Sequence, residues 1–119
     1  MEPFWVFKGR ELDAAHARLA VSLVAYGLSQ SSNAILKEGR GTADAAFARQ
    51  IAMYVLYVGL GLSLSRVATA FGRDRTTVSH ACHQIENRRE NPIFDDWLES
   101  LEASLVHAAK LYPTKWKAA

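Results

Sequence analysis

Apolar residues recur along this chain at three- and four-residue intervals, and no stretch alternates with the two-residue period of a strand. Over residues 11–28, Leu12, Ala15, Leu19, Leu23 and Tyr26 or Gly27 predict a first long helix, with Val24 and Leu28 beside the stripe. Ser29, Ser31, Ser32 and Asn33 interrupt it. Ala34, Ile35 and Leu36 fit a short helical turn, and residues 37–42 read as a polar loop punctuated by two glycines. A second long helix is predicted over 44–59, capped by Thr42 or Asp44. Its face is Phe47, Ile51, Tyr54, Val55 and Val58, with Ala48 and Ala52 permitting close approach. This is the expected core helix, ended by Gly59 and Gly61. Ser63 caps a short helix in which Leu64, Val67, Ala68 and Phe71 form one stripe. Val78, Ala81, Cys82 and Ile85 mark a helix over about 75–89, stopped by Asn91 and Pro92. A last helix is expected from Asp95 or Asp96, burying Trp97, Leu98, Leu101, Leu105, Ala108 and Leu111 or Tyr112. The fold class is all-α: one domain of five to six helices.

The ends read differently. Residues 1–10 hold Phe4, Trp5 and Phe7, an aromatic leader expected to fold back over a helix. The alternative for that leader is an exposed hook for a protein partner or a dimer contact. The domain proper is placed at 11–112 and a loose tail at 113–119. With 119 residues, half of them apolar or aromatic, the chain has enough material for one core. Its formal charge of +2 is compatible with a nucleic-acid partner only if the basic site is local. The single cysteine, Cys82, cannot form an internal disulfide, which fits a reducing cytoplasm. The first residues lack the pattern of a secretory leader, and the apolar run at 51–62 is short for a membrane span. A cytoplasmic protein, associated with the nucleoid, is expected.

The informative stretch is residues 71–86. Gly72 suits a tight turn, and Asp74 suits the N-cap of the helix that follows. Opposite the apolar stripe lie Arg75, Thr76, Ser79, His80, His83 and Gln84, with Thr77 at the border. Such groups at a helix N-terminus can read base edges in a major groove. His80, Cys82 and His83 fall on different sides of that helix and give no four-ligand metal site. The phosphate-loop motif is absent, no nucleophile–base set is legible, and Asp95 and Asp96 are explained as helix-start charges. Neither an enzyme nor a cofactor is implied.

The sequence Phe71-Gly72-Arg73-Asp74-Arg75-Thr76-Thr77-Val78-Ser79-His80-Ala81 resembles the helix-turn-helix of the C-terminal DNA-binding domain (domain IV) of the bacterial DnaA initiators. The likeness continues upstream through residues 49–54, which open with Arg49 and Gln50, and through Ser63 and Leu64; downstream it takes in Ile85 and Glu86. The resemblance implies a DNA-binding surface built from Asp74, Arg75, Thr76 and Thr77, with His80 on the same side. Arg49 and Gln50 match the family's Arg-Gln pair, and Arg66 and Arg73 are candidate phosphate contacts. Arg88 and Arg89 are candidate phosphate contacts too, but for both the reading as ordinary surface arginines, offset by Glu86 and Glu90, is preferred. The chain also departs from the family. Arg75 replaces a histidine, one glycine of the turn is missing, and Phe47 stands where an arginine is usual. The loop before the core helix is diluted by Glu38 and Asp44. These changes imply weaker phosphate contact than the family norm.

Two functions follow. One is a sequence-specific double-stranded DNA-binding regulator of replication initiation or transcription, acting at initiator boxes or related sites without the initiator's ATPase. The other is a non-catalytic interaction protein that binds the initiator or one of its regulatory factors. The oligomeric state is open.

Overall fold

A computed structural model describes residues 4–37 and 42–112, with side chains from residue 9 onward. Regular structure among these residues is entirely helical. The helices are α1 (Phe4–Leu28), α2 (Ser32–Leu36), α3 (Ala43–Gly59), α4 (Leu64–Phe71), α5 (Arg75–Arg88) and α6 (Pro92–Ala109). None is long and apolar enough to cross a membrane. The expected tail at 113–119, loop residues 38–41 and the packing of the leader's aromatics lie outside the described residues.

α3 is the centre. Ile51, Ala52, Met53, Tyr54, Val55 and Leu56 are all buried, and α3 meets each of the other five helices. Each large side chain so enclosed contributes about 1.5–3 kcal/mol. Thr42 caps the helix by accepting from the Ala45 N–H at 3.1 Å. Phe47 is only half-buried and Val58 is exposed, so the buried surface wraps round the middle of the helix instead of running along one stripe.

α1 differs from expectation twice. It begins at Phe4, so the backbone of the leader forms its first turns. Its buried face is Ala17, Ala20, Val21, Val24 and Ala25, while Tyr26 is 90% exposed. Leu19, Leu23 and Leu28 only flank the core. The small residues let α1 lie close to its neighbours, and the leucines cover the margins. At its end, a Cβ on Gly27 would stand 2.9 Å from Trp97 Cζ2, so the absence of a side chain there admits the α6 indole. Ser29 closes the helix in the left-handed region at φ 54°.

α6 starts three residues before the expected aspartates. The Asn91 side chain accepts from the N–H groups of Ile93 and Phe94, at 2.9 and 3.2 Å. Pro92 follows at the first helical position, where its missing N–H has no partner to lose. One dipeptide thus ends α5 and begins α6. Leu98, Leu101 and Leu105 are buried as expected, but Leu111 and Tyr112 lie beyond the helix and are exposed.

A polar node joins three helices. The buried Tyr54 hydroxyl donates to Glu86 Oε2 and accepts from Arg89 Nη1 at 3.1 Å. Arg89 also donates to Asp95 and Glu102, each at 2.5 Å. Burial works against the Arg89 charge, but Tyr54, Asp95 and Glu102 outweigh it and raise its pKa. Arg89 is therefore a structural cation and not an ordinary surface arginine. Burial first, then the bond to Glu86, pushes the Tyr54 phenol up from 10.0 to about 12.

The native state favours the protonated Tyr54 phenol, so its stabilising contribution is complete below pH 10.0 and is lost as the pH rises towards about 12. Urea midpoints across that window should fall more steeply for the natural chain than for Tyr54→Phe. Gly72 follows α4 in the left-handed region at φ 63°, with nothing within 4 Å of an added Cβ. Gly72→Ala therefore introduces backbone strain alone, and urea denaturation should show a loss of about 1–2 kcal/mol.

Candidate nucleic-acid interface

The turn before α5 is built from the backbone outward. Ser63 Oγ accepts from the Arg66 N–H at 3.2 Å and starts α4. At the other end, the Gly72 N–H donates to Thr69 O at 3.3 Å and the Arg73 N–H to Ala68 O at 3.0 Å. Asp74 then takes the N-cap position with extended dihedrals, φ −71° and ψ 147°. Its carboxylate makes no capping hydrogen bond and remains exposed, in contrast with the capping role expected of it.

α5 is anchored by Val78, Ala81, Cys82 and Ile85, all buried against the core. Burial raises the Cys82 thiol to about 11, so the chain's one cysteine is held as a neutral packing group. That anchoring directs Arg75, Thr76, Thr77, His80, His83 and Gln84 to solvent, as the spacing predicts. The first turn of α5 thus presents a guanidinium and two hydroxyl–methyl side chains with Asp74 beside them.

The other candidate residues are placed less uniformly. Arg49 is only 6% exposed and faces inward. Its Nε donates to Ile35 O at 2.8 Å and its Nη2 to Lys37 O at 3.3 Å. Burial, then the charge of Arg73, lowers its pKa. Arg73 Nη2 also donates to Lys37 O, at 3.0 Å. Two arginines from different parts of the chain therefore meet at the carbonyl end of α2. Gln50 is half-buried and donates through Nε2 to Gln84 Oε1 at 3.3 Å. Arg66 makes a bidentate pair with Asp13 of α1, at 2.9 and 2.7 Å. The bond to Asp13 raises its pKa. Beside this pair is a cavity of about 300 Å³, lined by Arg10, Asp13, Ser65, Arg66 and Thr69 among others.

Sequence reasoning did not foresee Asp13 as a partner, nor the Lys37 carbonyl. Asp13 carried a signal, because it is an acid in register with Ala17, Ala20 and Val24 on the buried face of α1. The carbonyl carried none, since any residue supplies one. Cys82 is buried while His80 and His83 are exposed, so these three do not converge on a metal. Among the described residues, Asp95, Asp96 and Glu99 bring carboxylate oxygens within 4.8 Å of one another. They lie in the first two turns of α6, where acids favour the positive helix end.

The family described as the bacterial dnaA protein helix-turn-helix matches residues 20–85, from mid-α1 to the last buried residue of α5. The chromosomal replication initiator proteins DnaA of Lactococcus lactis subsp. cremoris (strain MG1363) and subsp. lactis (strain IL1403) are each 51% identical over 49 residues. Those stretches cover 40% of this chain but 11% of each relative, so the chain matches only a small part of the initiators. A crystal structure of a DNA replication initiation factor superposes with a TM-score of 0.75 at 27% identity, over 87% of this chain and 32% of that one. The family match covers more than half of the sequence and includes the α4–turn–α5 unit described above; the chain belongs to the bacterial DnaA helix-turn-helix family.

Proposed function

We propose that this protein binds double-stranded DNA by placing the first turn of α5 in the major groove, and that it regulates replication initiation or transcription from initiator-box-like sites. The observation that carries this is the exposed group Asp74, Arg75, Thr76 and Thr77 at the start of a helix whose opposite side is fully anchored. Arg75 has the donors for guanine O6 and N7, and the threonine methyls suit thymine C5-methyl groups. His80 stands one turn further along the same outward side. Arg73 and Arg66 flank the turn as phosphate contacts, and Gln50 lies beside α5 through Gln84. Arg49 acts differently from a direct contact. Its place at Ile35 O and Lys37 O makes it a positioning residue that ties the end of α2 to α3.

A second reading, protein binding to the initiator or to a factor that regulates it, has its own support. Tyr57, Val58 and Val106 are exposed apolar residues, and Val58 and Val106 border a groove of about 480 Å³ between α3 and α6. In that reading the α5 side chains are incidental to function.

Fluorescence anisotropy with a labelled initiator-box duplex and a scrambled duplex, over a salt series, separates the two. We expect tighter binding to the box that persists at moderate salt. Arg75→Ala and Thr77→Ala should each cost about 1–3 kcal/mol of that preference and leave the urea midpoint unchanged, because both side chains are exposed. Equal, salt-sensitive binding to both duplexes would reduce the interaction to phosphate attraction. Absence of binding would overturn the DNA reading in favour of the protein partner.

A further inference from the structure

Two adjacent arginines close α5, and their surroundings are opposite. Arg89 is 20% exposed and donates to Tyr54, Asp95 and Glu102. Arg88 is exposed and, among the described residues, has no carboxylate within ion-pair distance. Its guanidinium carbon lies 4.6 Å from the centroid of the Phe47 ring. Phe47 is itself held by Phe94, with centroids 6.1 Å apart, and Phe94 packs on Trp97 at 6.0 Å. An aromatic face orients a guanidinium without neutralising it, and leaves its N–H edge free for an oxyanion.

The position of this pair gives it a partner. Thr77, Gln84 and Arg88 are seven and eleven residues apart in register, which places them on one flank of α5. On that flank Gln84 accepts from Gln50 of α3, and Phe47 precedes Gln50 by about one helical turn. The flank is therefore a polar edge shared by α3 and α5, bordering the outward face that carries Thr76 and His80. α3 contributes no cation of its own here, because Arg49 faces inward. The edge ends at a groove of about 630 Å³ lined by Phe47, Asn87, Arg88, Glu90, Asn91 and Phe94, in which Glu90 is the one acid.

We propose that Arg88, propped on the Phe47 ring, binds a backbone phosphate of the DNA strand that runs along the α3 side of α5. This rests on the DNA-binding reading above. It assigns an electrostatic contact that reads no base, so its effect should be the same on any duplex.

The test uses the full chain and the two labelled duplexes. Arg88→Gln should flatten the slope of log affinity against log salt by about 0.9, the value for one phosphate contact, with equal affinity loss on both duplexes. Arg88→Lys should restore the slope. Phe47→Leu keeps the charge, so it should keep the slope and lose about two- to five-fold in affinity, the worth of an exposed stack. Circular dichroism and urea midpoints establish that each variant is folded. If the natural chain binds and Arg88→Gln leaves its slope unchanged, the proposal is overturned, whether or not affinity falls. A loss confined to the box duplex would overturn it too, since that would mark base reading. If the natural chain binds neither duplex, the DNA-binding reading itself fails and takes this assignment with it.

Discussion

The burial of six consecutive residues of α3, Ile51 to Leu56, is the constraint on which the rest depends. A helix buried over one stripe needs neighbours on one side. A helix buried all round needs them on every side, and here α1, α2, α4, α5 and α6 each take a sector. The recognition unit inherits its position from that arrangement. α5 lies on α3 through Val78, Ala81, Cys82 and Ile85, so the direction of its outward face is set by the core and not by the turn alone. The Tyr54–Glu86–Arg89 contacts add direction to non-directional apolar packing, because hydrogen bonds fix the rotation of α5 and α6 about α3.

The arginines of this chain divide by what surrounds them. Arg49 is enclosed by main-chain carbonyls, Arg66 is gripped by Asp13, and Arg89 is shared between two carboxylates and a phenol. These three hold helices together. Arg75 and Arg88 face outward. A net charge of +2 therefore says little about the surface. What matters is which cations are already paired, and two of the outward arginines, Arg75 and Arg88, belong to α5.

Much of this fold was legible in the sequence, for identifiable reasons. α4 and α5 have short apolar stripes bounded by Ser63, Gly72 and Asp74, and their limits are found almost where the caps place them. The buried face of α1 is less legible, because large apolar residues dominate its periodicity whereas the close helix contact is made by small residues such as Ala17, Ala20 and Ala25. The start of α6 is ambiguous in the sequence, because Asn91-Pro92 reads as a stop for α5 and the same dipeptide is also an N-cap and a first helical residue. The outward face of α5 was legible because one helix stripe defines its opposite. The inward turn of Arg49, the pairing of Arg66 and the node at Arg89 were not, since each depends on a partner distant in sequence. Pairing across 14, 53 and 35 positions leaves no local pattern.

The carbonyl of Lys37 receives both Arg49 and Arg73, and so joins the end of α2, the core helix and the turn before α5. It is a main-chain atom. Substitution at position 37 leaves the acceptor in place, so this contact does not depend on which side chain stands there. A change in chain length is another matter. One codon inserted or deleted within α2 would carry the acceptor away from both guanidiniums at once. In this family member the length of α2 is strict, with Ile35 held in the core and only the side chain at position 37 left out of the contact.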